Sequence, residues 1–352
     1  MSKNKTIKID TRVVGEGQPV FVIAEAGVNH NGDMTLAKKL IDVAADAGAD
    51  AVKFQTFTSE ELVSEIAPQA TYQVENTGKE ESQIAMLRGL VLPHKEHLAL
   101  KKYTEEKGLV FLSTPFSIPD ADFLETLDIA AYKIPSGELN NLPFLAHIAK
   151  KRKPVIFSTG MGTLEEVREA LDVLKKNGAT EIAIFHCTSE YPTPPADINL
   201  HAMQTLADEF GFPTGLSDHS EGICVAIAAT ALGACILEKH FTLDRNLPGP
   251  DHKASLEPSE LKEMIRCIRV IEQALGSPLK KPTKGELDTA RVARKSIVVR
   301  RDISASARIT SEDIYIVRPG TGIPPKHFDE VVGTTAKQAI ARGTPLQWDM
   351  FS

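Results

Sequence analysis

Between residues 215 and 251 an apolar run ends in Ser217-Asp218-His219, and an Ala-rich apolar stretch follows. A second run, Ile236-Leu237, then ends in Glu238-Lys239-His240 before the turn Pro248-Gly249-Pro250-Asp251. Two apolar runs, each closing on a polar cluster and separated by one helix-length segment, read as a strand-helix-strand unit. Its polar clusters then stand at the C-terminal ends of adjacent parallel strands, where (β/α) folds place their chemistry. His219 and His240 are therefore expected on one rim. A lone histidine there is more often a hydrogen-bonded structural residue. Two at matching strand ends, with Asp218, Glu238 and Asp251 close by, point instead to an open site for a divalent metal.

The same rhythm recurs along the chain. Val20–Ala24, Ala51–Gln55, Leu109–Phe116, Ala130–Ile134, Val155–Thr159 and Glu181–Thr188 are apolar runs that end in polar or glycine-rich turns, with helical periodicity between them. Thr163-Leu164-Glu165-Glu166 is a capping box opening one of those helices. About eight alternations, with near-continuous apolar strands, predict an α/β fold of the (β/α)8 TIM-barrel type over residues 1–276. Residues 1–19 read as a hairpin plugging one end of the barrel, and residues 58–82 as a long polar insertion on the catalytic face, suited to a lid. After Gly276 the texture changes to Pro, Gly and Lys. A linker is expected at 277–293, followed by a small module at 294–352 too short for a comfortable core of its own.

The formal net charge is −7, and no Lys/Arg block interleaves with aromatics, so nucleic acid is not an expected partner. The polar N-terminus lacks the apolar core of a signal peptide and no stretch is long enough to span a bilayer; a cytoplasmic protein without a membrane partner is expected. The four cysteines, 187, 224, 235 and 267, have neither metal-binding nor disulfide-framework spacing and read as reduced thiols.

The strand ends carry Glu25, Lys53, Gln55, Thr114, Lys133, Ser136, Glu138, Ser158, Thr159, Ser189, Tyr191, Ser217, His219, Glu238 and His240. A single Lys there is usually solvated, and a single Ser or Thr usually satisfies a turn. Two lysines with several hydroxyls and glycine turns supply what a phosphate needs: point charge, donors and approachable backbone. With carboxylates and a metal on the same face, the combination suggests a phosphorylated anion and a polarised carbonyl, the pattern of aldol-like carbon–carbon bond formation.

The motifs Ala-Glu-Ala-Gly-Val-Asn-His-Asn-Gly, Val-Lys-Phe-Gln, Ser-Thr-Pro-Phe, Tyr-Lys-Ile-Pro-Ser-Gly-Glu, Ser-Thr-Gly-Met, His-Cys-Thr-Ser-Glu-Tyr-Pro-Thr-Pro, Gly-Leu-Ser-Asp-His, Leu-Glu-Lys-His-Phe-Thr and Pro-Gly-Pro-Asp follow one another in fixed order. In them the chain resembles the sialic acid synthase family, nonulosonate synthases that condense phosphoenolpyruvate with an N-acetylated mannosamine-type sugar. The C-terminal module is similar to that family's antifreeze-like (SAF) domain.

The resemblance implies a role for each matched residue. His219 and His240 match the metal ligands, with Mn2+ the usual ion and Mg2+ or Co2+ as alternatives. Lys53, Thr114, Lys133, Ser136 and Ser217 match phosphoenolpyruvate-binding positions, with Glu138 beside them, and Glu25 matches the carboxylate that handles the water added at C2. Gln55, Tyr191 and Asp251 match sugar-side positions, with Ser189 in the same loop. Arg318 matches an arginine that the SAF domain extends into its partner's site in a domain-swapped homodimer. Ser189 stands where N-acetylneuraminate synthases carry Asn, and Phe54 where they often carry His. Both departures lean toward N,N'-diacetyllegionaminate, whose 6-deoxy precursor needs a less polar pocket, over N-acetylneuraminate. The rival readings are another metal-dependent phosphoenolpyruvate–aldose synthase, a class II aldolase, or a carbohydrate-binding protein on an inactive barrel.

Overall fold

The computed structural model describes residues 5–78 and 81–352 and resolves them into two compact units, Met1–Gly276 and Ser277–Ser352. In the first, eight strands form one sheet: β1 Phe21–Gly27, β2 Ala51–Thr56, β3 Val110–Pro115, β4 Tyr132–Ile134, β5 Val155–Ser158, β6 Ile182–Cys187, β7 Thr214–Asp218 and β8 Ile236–His240. Every ladder between them is parallel, in the order β3-β2-β1-β8-β7-β6-β5-β4, and the end strands β3 and β4 lie side by side to close the ring. Eight helices follow the eight strands: α1 Met34–Ala47, α2 His94–Glu106, α3 Ile118–Thr126, α4 Leu142–Lys150, α5 Leu164–Lys176, α6 His201–Phe210, α7 Cys224–Ala231 and α8 Pro258–Leu275. This is the (β/α)8 barrel that the alternation of patterns predicts.

Local sequence sets these elements. At the start of α5 the Thr163 hydroxyl accepts from Glu166 N at 3.3 Å while Glu166 Oε2 accepts from Thr163 N at 2.8 Å, the expected capping box, worth about 1 kcal/mol. Leu261, Met264, Ile265 and Ile268 of α8 are buried against the sheet, each contributing roughly 1.5–3 kcal/mol.

Strand alternation divides the core in two. One set of side chains faces the helices. The other fills the lower barrel with Phe21, Ile23, Ala51, Leu112, Ala131, Ile156, Ala183, Phe185 and Ile236, joined by Ile7, Ile9 and Val14 of the hairpin Thr6–Ile9/Arg12–Gly15. The hairpin is thus the barrel's N-terminal plug. Because alternation has a period of two, the next inward residues up each strand are polar: Glu25, Lys53, Thr114, Lys133, Ser158, Cys187, Ser217 and Glu238.

Two readings need correction. The polar-looking insertion 58–82 contains short helices at Ser59–Leu62 and Thr71–Thr77, and its Leu62 and Val63 pack with Met86, Leu87 and Leu90 of the following segment and with Val28 and Phe57 into an apolar cluster. Asn76 Nδ2 ties it to Pro250 O at 2.6 Å. The second half of the expected linker is a helix, α9 Lys284–Ala293, started by a capping box of Thr283 and Glu286. None of its residues is buried, so no apolar stripe marked it. In the second unit β9 Ser296–Val299 pairs antiparallel with β10 Ile314–Val317 over a core that includes Ile297, Val299, Ile309, Ile323 and Leu346. Among the described residues, no helix is long and apolar enough to cross a membrane.

Candidate active site

The C-terminal mouth of the barrel opens into a cavity of about 470 Å3. Its floor is the inward polar layer just described. Lys53 on β2 places Nζ 2.8 Å from Glu25 Oε2, 2.9 Å from Thr114 Oγ1 and 3.6 Å from Glu238 Oε2. Lys133 on β4 places Nζ 3.1 Å from Glu238 Oε1, which also accepts from Ser217 Oγ at 3.2 Å. Both lysines and both glutamates are buried.

Their environments drive the two carboxyls apart. Burial raises Glu25 to about 7, with Glu238 adding to the rise and the lysines opposing it. Burial also works against ionisation of Glu238, but Lys133 and Lys53 outweigh it and hold that carboxyl below its usual range. Lys133, whose burial disfavours its charge, is held above its ordinary value by Glu238 and Glu25. Two ammonium groups then face one firmly ionised carboxylate and one that exchanges its proton near neutrality. That leaves a positive hole for an anion, and a proton-transfer group beside it.

Around this floor Ser136 Oγ lies 3.0 Å from Ser158 Oγ and accepts from Gly160 N at 3.0 Å. A Cβ on Gly160 would sit 2.3 Å from Ser189 Oγ and 2.6 Å from Ser136 Oγ, so a side chain there would displace both hydroxyls. Gly27, at φ 51, ends β1 in an irregularity of the β1–β2 register; a side chain there would crowd Glu25 Oε1 and Gln55 Nε2, which lie 3.3 Å apart.

His219 and His240 follow β7 and end β8, with ring centres 5.5 Å apart and the Tyr191 ring against both, at 4.1 and 5.7 Å. His219 Nδ1 lies 2.8 Å from Thr188 O; a carbonyl only accepts, so Nδ1 carries the hydrogen and Nε2 keeps the lone pair. His240 Nδ1 is buried without a hydrogen-bond partner, 3.9 Å from Asp251 Oδ2. Burial, with the nearby lysines adding to it, holds His240 neutral, well below its ordinary value. Two imidazoles offering lone pairs, one of them a buried nitrogen otherwise orphaned, fit a divalent metal. Among the described residues no three His, Cys, Asp or Glu side chains converge into a full ligand set, so such an ion would take its other ligands from water and substrate.

Gln55, Thr114, Ser136, Ser189, Tyr191, Ser217 and Asp251 all line the cavity with Glu25, Lys53, Lys133, His219 and His240. Glu138 does not. It ends the short 3-10 turn Ser136–Glu138 and accepts from Asn141 Nδ2 at 2.6 Å, at the start of α4. Arg318 belongs to the second unit, where it is exposed. Glu238 and Ser158, read from the sequence as strand-end residues without an assigned role, line the cavity, and Cys187, read only as a reduced thiol, joins them. The signal for Glu238 was available: it lies two residues before His240, hence on the same face of β8. Leu62, Val63, Met86, Leu87, Leu90 and Phe116 form an apolar wall opposite the polar floor. No sequence periodicity announced it.

A parallel (β/α)8 barrel with buried lysines, carboxyls of divergent acidity and paired imidazoles at its C-terminal mouth defines an enzyme acting on a small anionic substrate. Residues 40–280 match the NeuB family and residues 294–352 the SAF domain; the chain belongs to the NeuB family. It is 46% identical to the N,N'-diacetyllegionaminic acid synthase of Legionella pneumophila over 95% of each chain. It is 49% identical to the synthase of the same name from Campylobacter jejuni, over 90% of this chain and 95% of that one. The crystal structure of N-acetylneuraminic acid (sialic acid) synthetase from Leptospira borgpetersenii, in complex with citrate, superposes with a TM-score of 0.72 at 36% identity, covering 81% of this chain and 94% of that one.

Proposed function

We propose that this enzyme condenses phosphoenolpyruvate with 2,4-diacetamido-2,4,6-trideoxymannose and water, giving N,N'-diacetyllegionaminate and phosphate. The observation that carries the reading is the buried cluster of Lys53, Lys133, Glu238 and Glu25: a positive, donor-lined hole on a chain of net charge −7, with a proton-transfer carboxyl inside it. Lys53 and Lys133, with the hydroxyls of Thr114, Ser136 and Ser217, balance and orient the phosphate and carboxylate of phosphoenolpyruvate. C3 of the enol attacks the sugar aldehyde, whose oxygen takes up a proton from solvent to become the new hydroxyl; C2 becomes cationic, and a water directed by Glu25 adds there as Glu25 takes its proton. Phosphate leaves with cleavage of the C2–O bond, its charge held by the two lysines. His219 and His240 would hold a divalent metal, Mn2+ by preference, which supplies Lewis-acid polarisation of the aldehyde oxygen.

Two features support the sugar. Among the described residues Lys53 and Lys133 are the only lysines or arginines lining the cavity, and both belong to the first phosphate, which favours an unphosphorylated sugar. The wall of Leu62, Val63, Met86, Leu87, Leu90 and Phe116 suits a methyl-bearing sugar face better than a hydroxymethyl. Arg318, carried on the exposed-helix tether α9, would enter the site of a second subunit and donate to the sugar's acyl or hydroxyl groups, making the enzyme a homodimer. A cytoplasmic location accords with its use of phosphoenolpyruvate.

The decisive experiment is phosphate release from phosphoenolpyruvate bearing 18O at the bridging oxygen, with this sugar and with N-acetylmannosamine in parallel. Faster release with the diacetamido sugar, and 18O in the phosphate, is expected. Release without sugar, or label retained in the organic product, overturns the reading.

A further inference from the structure

Lys239 is among the largest fully buried side chains of the protein, and none of the chemistry above uses it. Its chain neighbours Glu238 and His240 face the cavity, so alternation along β8 sends Lys239 through to the other face of the sheet. On β7 the same alternation sends Asp218, flanked by Ser217 and His219, to that face, and the register sets Lys239 directly opposite it. Lys239 Nζ lies 2.9 Å from Asp218 Oδ2 and donates to Ser220 O at 2.5 Å; Asp218 Oδ1 accepts from Ser220 N at 2.8 Å. The turn Asp218-His219-Ser220 is thus tied from behind to the strand that carries His240. From the cavity side His219 O accepts from Thr193 N at 2.9 Å, and its ring is held by Thr188 O.

A buried ion pair is an expensive way to fill the layer between sheet and helices, because an apolar pair of similar volume commonly packs there at least as well. What an apolar pair does not supply is the three-point tie on the turn. We infer that Lys239 and Asp218 are positioning residues that set the spacing and orientation of the His219–His240 imidazole pair for metal binding. The inference rests on reading those histidines as metal ligands.

The test is the double variant Lys239→Met/Asp218→Leu, which removes both charges together and leaves neither uncompensated. Mn2+ binding is followed by the electron paramagnetic resonance signal of the free ion, beside thermal unfolding. A 10–100-fold weaker Kd for Mn2+ is expected, the usual effect of losing groups that orient metal ligands, with little change in unfolding midpoint. Unchanged Mn2+ affinity in the folded variant overturns the inference. Should the double variant not fold, Lys239→Gln, which keeps a donor for Ser220 O but loses the charge, is read the same way. Wild-type protein whose Mn2+ binding is insensitive to His219→Ala and His240→Ala overturns the metal-ligand reading, and this inference with it. Tight wild-type binding that those two changes abolish, unaltered by the loss of Lys239 and Asp218, overturns this inference alone.

Discussion

Lys133 and Glu238 meet across the full width of the barrel, Nζ to Oε1 3.1 Å, from strands β4 and β8 that lie on opposite sides of the ring. The pair holds the anion hole together. Because both groups are buried, Glu238→Gln leaves a charge without its partner and is expected to cost roughly 3–5 kcal/mol of stability in urea unfolding. A loss below about 1 kcal/mol would show that water reaches the pair.

On the proposed mechanism Glu25 sets the pH dependence. Its carboxyl titrates near 7 in the fold against a usual value of 4.5, so as the catalytic base it is in its active form above about 7. The rate with phosphoenolpyruvate should fall as pH drops through 7, and Glu25→Gln should lower it by about 10^2–10^4-fold and flatten that limb. For stability the sign is opposite. A raised carboxyl favours the folded state fully below 4.5, and that contribution is lost as pH rises through about 7. Relative to wild type, Glu25→Gln should therefore gain stability between pH 5 and pH 8, by at most about 3 kcal/mol. A constant difference across that range would place the pKa elsewhere.

His219→Ala or His240→Ala should reduce activity by orders of magnitude and abolish tight Mn2+ binding while the barrel stays folded, because each removes one of the two imidazoles that line the cavity among the described residues. Metal analysis finding a full complement of held manganese in the double variant counts against the site.

The apolar wall should show in substrate choice. Leu87→Asn places an amide where the sugar's methyl is expected, and should cut kcat/KM for the 6-deoxy sugar by about 10–200-fold, with a smaller loss for N-acetylmannosamine. Equal losses for both sugars would assign the wall to packing alone.

If Arg318 completes a partner's site in a homodimer, as proposed, Arg318→Ala and Glu25→Ala proteins should each be nearly inactive and should regain activity when their subunits are exchanged, because one site of each heterodimer then has both residues intact. After verified exchange, a mixture no more active than its parents rules out the shared site.

Strand periodicity made most of the barrel legible. Ile236, Glu238 and His240 share one face by alternation, as do Ala51, Lys53 and Gln55, and this local rule carried the site residues to a common mouth. It failed where the backbone leaves the strand. Glu138 follows Ser136 by two residues, but the 3-10 turn between them rotates its carboxylate to Asn141. Helix α9 buries nothing, so only its capping box betrays it. The insertion reads as polar because its apolar residues are scattered among several short helices and meet only on folding.

By itself the sequence determined the number and order of strands and helices, the apolar lower barrel and the polar ring above it, because these follow from periodicities of two and 3.6 residues that act between near neighbours. Only the tertiary structure decided that Glu238 bridges two lysines, that Glu25 and Glu238 ionise so differently, and that Lys239 and Asp218 lock the turn behind His219. The first two depend on closing the sheet into a ring, the third on the register of β7 against β8. Closure brings strands distant in sequence within hydrogen-bond reach and strips water from their charges, and no local pattern encodes either.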